Sequence, residues 1–482
     1  MNRSIIVYVT GRFLLLFAAL LLIPLVVSIL YAEGIGLALN FLVSSAISLG
    51  LGLALSYKKP KEEGLFAREG LVICALIWIL MSFIGALPLV FSKTVSSLVD
   101  GFFEMSSGFT TTGASIMQQV ENLPHSILFW RSFSHLIGGM GVLVFALTLM
   151  PKVDAEAVHI MKAEVPGPVF GKLKSSIVST ARLLYIIYLV MTAVLIVVLA
   201  LLGMPFFDAV CHAFGAAGTG GFGIKNNSIA YYNSSAIHIV LAVAMLLFGI
   251  NFNLYYILLL KKVKQFFSDE ELKTYFAIVL VAVVLISLNL YNQYKNIGIL
   301  IRDVFFTVSS LITTTGYSTV NFNTWPVFSK AVLIILMFIG GMAGSTAGGL
   351  KVLRVLIYSK SARAEQKRQR EPGRIAPVTI NGKTVSADVI RSMLTYLTIY
   401  LGIFMLLLML VSLDSQDFGT AFSAVVASFN NIGPGIGQVG PDGNFSHFTP
   451  IIKLVLSLGM IAGRLEIWPV IILLSRKTWH KT

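Results

Sequence analysis

SSGFTTTGAS, residues 106–115, recurs three times in altered form: GAAGTGGFGI at 215–224, SSLITTTGYST at 309–319 and ASFNNIGPGI at 427–436. Each copy turns on a glycine, in order Gly113, Gly221, Gly316 and Gly433, and each lies between two long apolar segments. The register extends further back. Asp100 precedes Gly113 by the distance at which Asp208 precedes Gly221 and Asp303 precedes Gly316, and Thr420 holds that place before Gly433. Asp and Thr are good N-caps, and the stretches that follow, such as GFFEMSSGF and VFFTVSSLI, suit helices of about three turns. Each unit therefore reads as apolar helix, half-membrane helix, glycine loop, apolar helix. Four such units predict one pore lined by four related backbones.

The composition around these segments is that of a polytopic membrane protein. Of 482 residues, 56% are hydrophobic and only 12% charged, and the mean hydropathy is +0.85, outside the range of soluble globular chains. The two cysteines, Cys74 and Cys211, lie in apolar surroundings, which argues against a disulfide framework. Crossing a bilayer takes about 20 apolar residues. Ten runs qualify, at about 13–31, 37–56, 70–91, 127–150, 183–204, 236–260, 275–292, 328–350, 393–413 and 451–474. The first could imitate a signal peptide, but it is too long for an apolar h-region and no clear small-residue cleavage site follows. It is read as a retained helix.

The basic residues orient the chain. Lys58, Lys59, Lys61 and Arg68 follow the second run; Lys152, Lys162, Lys172 and Lys174 the fourth; Lys261, Lys262 and Lys264 the sixth. The densest cluster, Lys351, Arg354, Lys360, Arg363, Lys367, Arg368, Arg370 and Arg374, follows the eighth, and the opposite side carries little beyond Lys93, Lys225, Lys295 and Arg302. The positive-inside rule puts these loops and both termini in the cytoplasm. The formal net charge of +14 is then mainly an orientation signal and not a nucleic-acid footprint.

Inside a membrane, unpaired carbonyls are tolerated only where they are buried in protein or line a wet cavity, and a ring of them can replace a cation's hydration shell. Glycine permits the backbone conformations that turn carbonyls toward an axis, and half-helix C-termini aimed at the same axis favour a cation. By register the filter residues are Thr111, Thr112 and Gly113; Thr219, Gly220 and Gly221; Thr314, Thr315 and Gly316; Asn431, Ile432 and Gly433. TTTG and ITTTG carry no carboxylate, which argues against divalent selectivity. The expected ligand is a monovalent cation held on backbone carbonyls.

The whole chain resembles the Trk/Ktr/HKT potassium transporter family, and within it the TrkH-like pore-forming subunits. The resemblance rests on TTTGA at 110–114, TGGF at 219–222, TTTGY at 313–317 and NNIGPG at 430–435, with IGGMAGSTAGGLKVLR at 339–354, GRLEIW at 463–468 and two extra N-terminal helices. It implies an all-α polytopic membrane fold with four helix–pore-helix–helix repeats around a pseudo-fourfold axis. It also implies a homodimer, potassium as the ion at the filter carbonyls, no organic cofactor on this chain, a bacterial inner-membrane location and a cytosolic nucleotide-binding ring of the TrkA type as partner. In that family a serine at the first filter glycine goes with sodium permeation, so Gly113 points to potassium. Gly220-Gly221 and Ile432-Gly433-Pro434 depart from the Thr-Gly pattern. The expected units are a two-helix extension at 1–64, repeats at 65–150, 176–265, 270–360 and 389–482, and a basic cytoplasmic loop at 361–388.

Two further features interrupt the apolar pattern. The run from Gly340 to Gly349 holds five glycines, and each costs a helix interior about 1 kcal/mol relative to alanine, so the eighth span is predicted to break mid-membrane. The resemblance makes this stretch an intramembrane gate beneath the filter, with Gly344, Ser345, Thr346, Ala347, Gly348 and Gly349 in it and the Ser345 and Thr346 side chains facing the ion path. GGMG at 138–141 reads instead as close helix packing through small residues. Arg464 falls mid-span, where a charge is costly. Pairing with Glu466 is disfavoured because residues two apart face different sides of a helix, and the resemblance places Arg464 in the pore as part of the gate. Arg131 is expected near the outer interface or paired with a carboxylate, Glu104 and His212 in structural hydrogen bonds, and EQKRQREPGR at 365–374 as a solvated loop where a regulator docks. A proton- or sodium-coupled secondary transporter is the rival reading. Against a membrane enzyme, the sequence holds no HExxH, no GxSxG and no aspartate pair within the spans.

Overall fold

The computed structural model describes residues 1–60, 66–141, 177–371, 376–415 and 417–479. Lys61, Lys152, Lys162, Lys172, Lys174, Arg374 and the second half of the fourth apolar run lie outside them.

Two N-terminal helices, α1 (Arg3–Leu30) and α2 (Ile35–Ser56), pair with each other. Their contact is close because Gly11 and Gly52 meet backbone to backbone: a β-carbon on Gly11 would sit 2.9 Å from the Gly52 carbonyl oxygen. Four units follow. The first comprises α3 (Ala67–Phe91), α4 (Leu98–Phe109) and α5 (His125–Gly139). The second comprises α6 (Ile177–Leu201), α7 (Phe206–Gly218), α8 (Ser235–Phe248) and α9 (Phe252–Leu259). A short α10 (Val263–Ser268) leads to the third: α11 (Glu270–Leu290), α12 (Ile297–Ile312), α13 (Val327–Ile339) and α14 (Val352–Arg370). A two-stranded hairpin, β1 (Thr379–Ile380) and β2 (Lys383–Thr384), precedes the fourth: α15 (Ala387–Val411), α16 (Phe418–Phe429), α17 (Pro450–Arg464) and α18 (Trp468–Leu474). The chain is an all-α polytopic membrane protein with four helix–pore-helix–helix repeats after two N-terminal helices.

Among the described residues, six helices are long and apolar enough to cross a membrane, namely α1, α2, α3, most of α6, α11 and α15. The ten apolar runs therefore do not all form single continuous helices. The second membrane helix of the last three repeats is interrupted, after Phe248, Ile339 and Arg464, and that of the first is described through Gly139. The break at Ile339 was expected from the glycine run. The others were not: α8 and α9 meet at 91°, with Asn251 capping α9 through the Asn253 amide at 2.9 Å. After α17 the chain turns through Glu466 and Ile467, both with positive φ.

Two apolar cores fill the molecule. One joins the N-terminal helices to the first two repeats around Phe17, Trp78, Phe109 and Trp130. The other joins the last two around Tyr275, Val304, Phe404 and Phe429. The outward faces are apolar too, with Leu201 and Met409 among the large exposed side chains, as expected where lipid is the solvent.

Candidate functional site

The four short helices α4, α7, α12 and α16 point their C-termini at the four glycine loops. Their starts differ from the sequence expectation in one respect. Asp100, Asp208 and Thr420 sit in the first turn, and the caps lie three residues earlier, at Ser97, Pro205 and Asp417. In α4 the Ser97 hydroxyl accepts the Asp100 amide and donates to the Asp100 carboxylate, at 3.1 and 2.9 Å, which satisfies one of the free amides of the helix start. α12 begins a turn and a half earlier, at Asn296, so Asp303 is interior. At α16, the Thr420 hydroxyl and then the Thr420 and Gly419 amides hold the Asp417 carboxyl below its usual value. The shared register survives; the cap position lies three residues upstream in repeats one, two and four and seven upstream in repeat three.

Each glycine loop has the same backbone signature. The glycine and the residue two before it both adopt positive φ: Thr111 and Gly113 (54° and 80°), Thr219 and Gly221 (55° and 72°), Thr314 and Gly316 (55° and 86°), Asn431 and Gly433 (57° and 97°). Left-handed φ at a Thr is uncommon, and four copies at one register point to a purpose common to all. The loops also close on one another. A β-carbon on Gly113 would lie 2.0 Å from the Gly220 carbonyl oxygen, one on Gly221 1.9 Å from that of Thr315, one on Gly316 2.1 Å from that of Ile432, and one on Gly433 2.7 Å from that of Thr112. Each glycine thus abuts the carbonyl preceding the next repeat's glycine, and the fourth returns to the first. All four glycines line one cavity of about 140 Å³, shared with Ser115, Phe222, Ser318 and Phe445.

Hydroxyl pairs brace two of the loops from behind: Thr110 with Thr112 at 2.7 Å and Thr313 with Thr315 at 2.8 Å. In the fourth repeat Asn431 donates to the Thr112 hydroxyl at 3.0 Å, tying repeat four to repeat one. Buried charge supports the first. Arg131 pairs with Glu104 at 2.8 Å and is itself only 1% exposed. Arg131 therefore lies in the interior with a carboxylate partner, and not at the outer interface. His135 bonds the Gly108 carbonyl at 2.8 Å and accepts the Phe222 amide at 3.2 Å. His212 meets the Tyr232 hydroxyl at 3.2 Å, a structural bond as expected. Lys453 and Asp100 join α17 to α4 at 2.7 Å.

Beneath the loops, residues 340–351 form an irregular segment between α13 and α14. Gly340 and Lys351, both at positive φ, pinch its ends together, with Leu350 and Lys351 amides donating back to Phe338 and Ile339. The Gly348 amide donates to the Thr314 hydroxyl at 2.6 Å, directly under the third glycine loop. Thr346 donates to the Phe248 carbonyl and Ser345 to that of Met342. These hydroxyls brace the segment. One oxygen of the buried Glu271 carboxylate accepts the Ala343 and Leu353 amides at 2.7 and 3.1 Å, a support that the sequence reading missed. Arg464 closes the assembly. Its guanidinium donates to the Thr346 carbonyl at 2.5 Å and to the Gly138 and Gly139 carbonyls at 2.6 Å each. Glu466 turns the other way and pairs with Arg354, consistent with the exclusion of an Arg464–Glu466 pair.

Gly138 and Gly139 do pack closely, against the Phe109 carbonyl and the Gly218 α-carbon, as the small-residue reading of GGMG expects; their role as acceptors for Arg464 was not anticipated. On the side that carries the basic residues, α14 runs through Arg370, so most of EQKRQREPGR is helical where a loop was expected, and Arg363, Lys367, Arg368 and Arg370 are exposed. Among the described residues both cysteines are buried and free.

The chain resembles characterised proteins over its whole length. A model of the family described as TrkH, cation transport protein, matches residues 38–481. The Trk system potassium uptake protein TrkH of Escherichia coli K12 is 33% identical with 100% of both chains covered. The potassium uptake protein TrkG of the same organism is also 33% identical with full coverage of both. Among solved structures, the potassium transporter TrkH from Vibrio parahaemolyticus superposes with a TM-score of 0.89 at 31% identity, covering 100% of each chain.

Proposed function

Because the chain belongs to the TrkH family of cation transport proteins, we propose that it carries potassium into the cell through the ring of four glycine loops. The observation that carries this reading is the closed ring itself. Four left-handed pairs at one register bring four backbones to one cavity, the arrangement in which carbonyls replace a cation's water. The side chains of the twelve filter residues are neutral, and the pore-helix C-termini supply diffuse negative potential. That combination suits a weakly hydrated monovalent cation. Gly113 favours potassium over sodium, since a serine at this position goes with sodium permeation in the family that the sequence resembles.

In this reading the 340–351 segment is the gate. Gly344 to Gly349 lie across the path below the ring, and Arg464 latches them shut through Thr346 while opposing an approaching cation by its charge. The chain lies in the bacterial inner membrane with both termini inside, works as a homodimer, and docks a cytosolic nucleotide-binding ring of the TrkA type on the exposed basic face of α14. That helix leaves directly from the gate segment, so a force applied to it reaches the latch.

The test is flux into liposomes holding the purified protein, with rubidium and sodium as tracers and with or without an imposed pH gradient. Rubidium flux well above sodium flux, indifferent to the gradient, is expected. Equal fluxes would remove the potassium reading. The 91° break between α8 and α9 favours a second reading, because broken helices also build coupled transporters. Rubidium uptake driven by the pH gradient would establish that alternative.

A further inference from the structure

We infer that the buried Glu104–Arg131 pair sets how sharply the ring discriminates between cations, by holding the second filter strand at a fixed distance from the first. This rests on the ring being the selectivity filter.

The second strand is the weakest of the four. Repeats one and three carry hydroxyl ladders behind their glycines, Thr110 with Thr112 and Thr313 with Thr315. Repeat four carries Asn431, anchored on both the Thr112 hydroxyl and the Met460 carbonyl. Repeat two has Gly218, Thr219, Gly220 and Gly221, with the Thr219 hydroxyl bonded only to the neighbouring Gly218 carbonyl. A strand with glycine at three of four positions has the most conformational freedom to lose, and nothing within its own repeat replaces the missing ladder.

The replacement comes from repeat one. Arg131 and His135 stand one helical turn apart on α5 and share a face, and both reach the second strand. The Arg131 Nη1 donates to the Gly223 carbonyl at 3.2 Å, and its guanidinium carbon lies 4.2 Å from the Phe222 ring centroid. His135 accepts the Phe222 amide; a β-carbon on Gly220 would lie 2.2 Å from its Nδ1. Glu104 makes this clamp rigid. Its carboxylate takes Arg131 Nε at 2.9 Å, the Ser115 hydroxyl at 2.9 Å and the Ile116 amide at 3.0 Å. The pair therefore grips the first strand just past Gly113 and the second just past Gly221. At the register of Glu104 the other repeats have His212, Thr307 and Ala424, so no other repeat carries a carboxylate there.

Discriminating ions of equal charge requires the carbonyl cage to resist a small change in diameter. A buried ion pair whose remaining donors and acceptors are all engaged is stiff. Gly113 and Gly221 are two of the four contacts in the ring, and Glu104 and Arg131 act on both without touching the ion. They are positioning residues.

The experiment reads the ratio of rubidium to sodium flux, together with total rubidium flux, in liposomes of equal protein content. The double variant Glu104→Gln/Arg131→Met removes both charges and avoids leaving one buried alone. Its ratio is expected to fall at least about tenfold, the worth of one charge-assisted hydrogen bond, while rubidium still flows. Arg131→Lys keeps the charge and loses the fork; it is expected to move the ratio the same way by less, and it is the variant to read if the double variant does not incorporate. Asp100→Asn/Lys453→Met, which removes a buried pair at the far end of the same pore helix, is expected to keep the wild-type ratio. An unchanged ratio in the Glu104/Arg131 variants overturns the inference. So does an equal fall in the Asp100/Lys453 variant, which would mark a general loosening of the fold. A wild-type protein that does not prefer rubidium overturns the filter reading itself, so the two failures are distinguishable.

Discussion

Four glycines define the ring, but they are not equally confined. The room for a β-carbon narrows from 2.7 Å at Gly433 to 1.9 Å at Gly221. At every one the backbone is left-handed, which costs an L-residue roughly 1–2 kcal/mol before any contact is counted. Gly433→Ala is therefore expected to carry only that strain with a modest displacement of Thr112, and to retain measurable rubidium flux. Gly221→Ala drives a methyl group into the Thr315 carbonyl and is expected to abolish flux and lower the melting temperature further. Equal behaviour of the two variants would mean that the ring is more compliant than its geometry indicates. The glycine positions were readable in the sequence because a residue with no β-carbon at a fixed distance from a helix start is a single-position signal. Arg131 was only half readable. Its need for a carboxylate follows from burial of a charge, but its second target, Gly223, lies 92 residues away and no local pattern points to it.

At the scale of elements, the 340–351 segment, the proposed gate, is held by groups from several helices. Arg464 reaches it from α17, Glu271 from the first turn of α11, and the Thr314 hydroxyl from the filter above. Glycine density alone revealed that the eighth span must break. It did not reveal the breaks after Phe248 and Arg464, because there the chain turns through Asn251 or through Glu466 and Ile467, whose positive φ is imposed by packing and not preferred by the residue. Nor did it reveal Glu271, whose amide donors lie 72 and 82 residues further along the chain. Arg464→Ala removes three hydrogen bonds donated by a charged group. Hydrogen bonds to charged groups contribute about 1.5–3 kcal/mol each, so losing the worth of even one shifts a closed–open balance by about tenfold. Rubidium flux at equal incorporation is expected to rise by that order with the rubidium-to-sodium ratio unchanged. A flux at or below wild type would show that Arg464 does not hold the gate.

Across the whole molecule, the fold was read correctly in kind and too simply in detail. Four repeats and two preceding helices followed from hydropathy and register, whereas the interruptions after Phe248 and Arg464 did not, because they accompany the gathering of four backbones at one cavity. One consequence concerns sidedness. α14 continues from the gate segment as a regular helix and exposes Arg363, Lys367, Arg368 and Arg370, while the filter cavity opens among Asn226, Asp442 and Asn444. With the chain inserted as its basic loops direct, a cysteine at Lys367 is expected to react with a membrane-impermeant maleimide only in inside-out vesicles, and one at Asn444 only in right-side-out vesicles. Labelling in the reverse sense would invert the assigned orientation.

The closure of the ring onto its own beginning also bears on how such a protein is made. The bond from Asn431 to Thr112 joins residues 319 positions apart. At about 5–20 residues per second, translation takes roughly 15 to 60 s to travel from one to the other. During that interval the second and third loops are made, at Gly221 and Gly316, and until the fourth arrives the growing ring stands with an open flank. On the proposed reading of the ring as the ion path, that path exists only once the fourth repeat is inserted, and a product truncated before Asn431 has no completed ring.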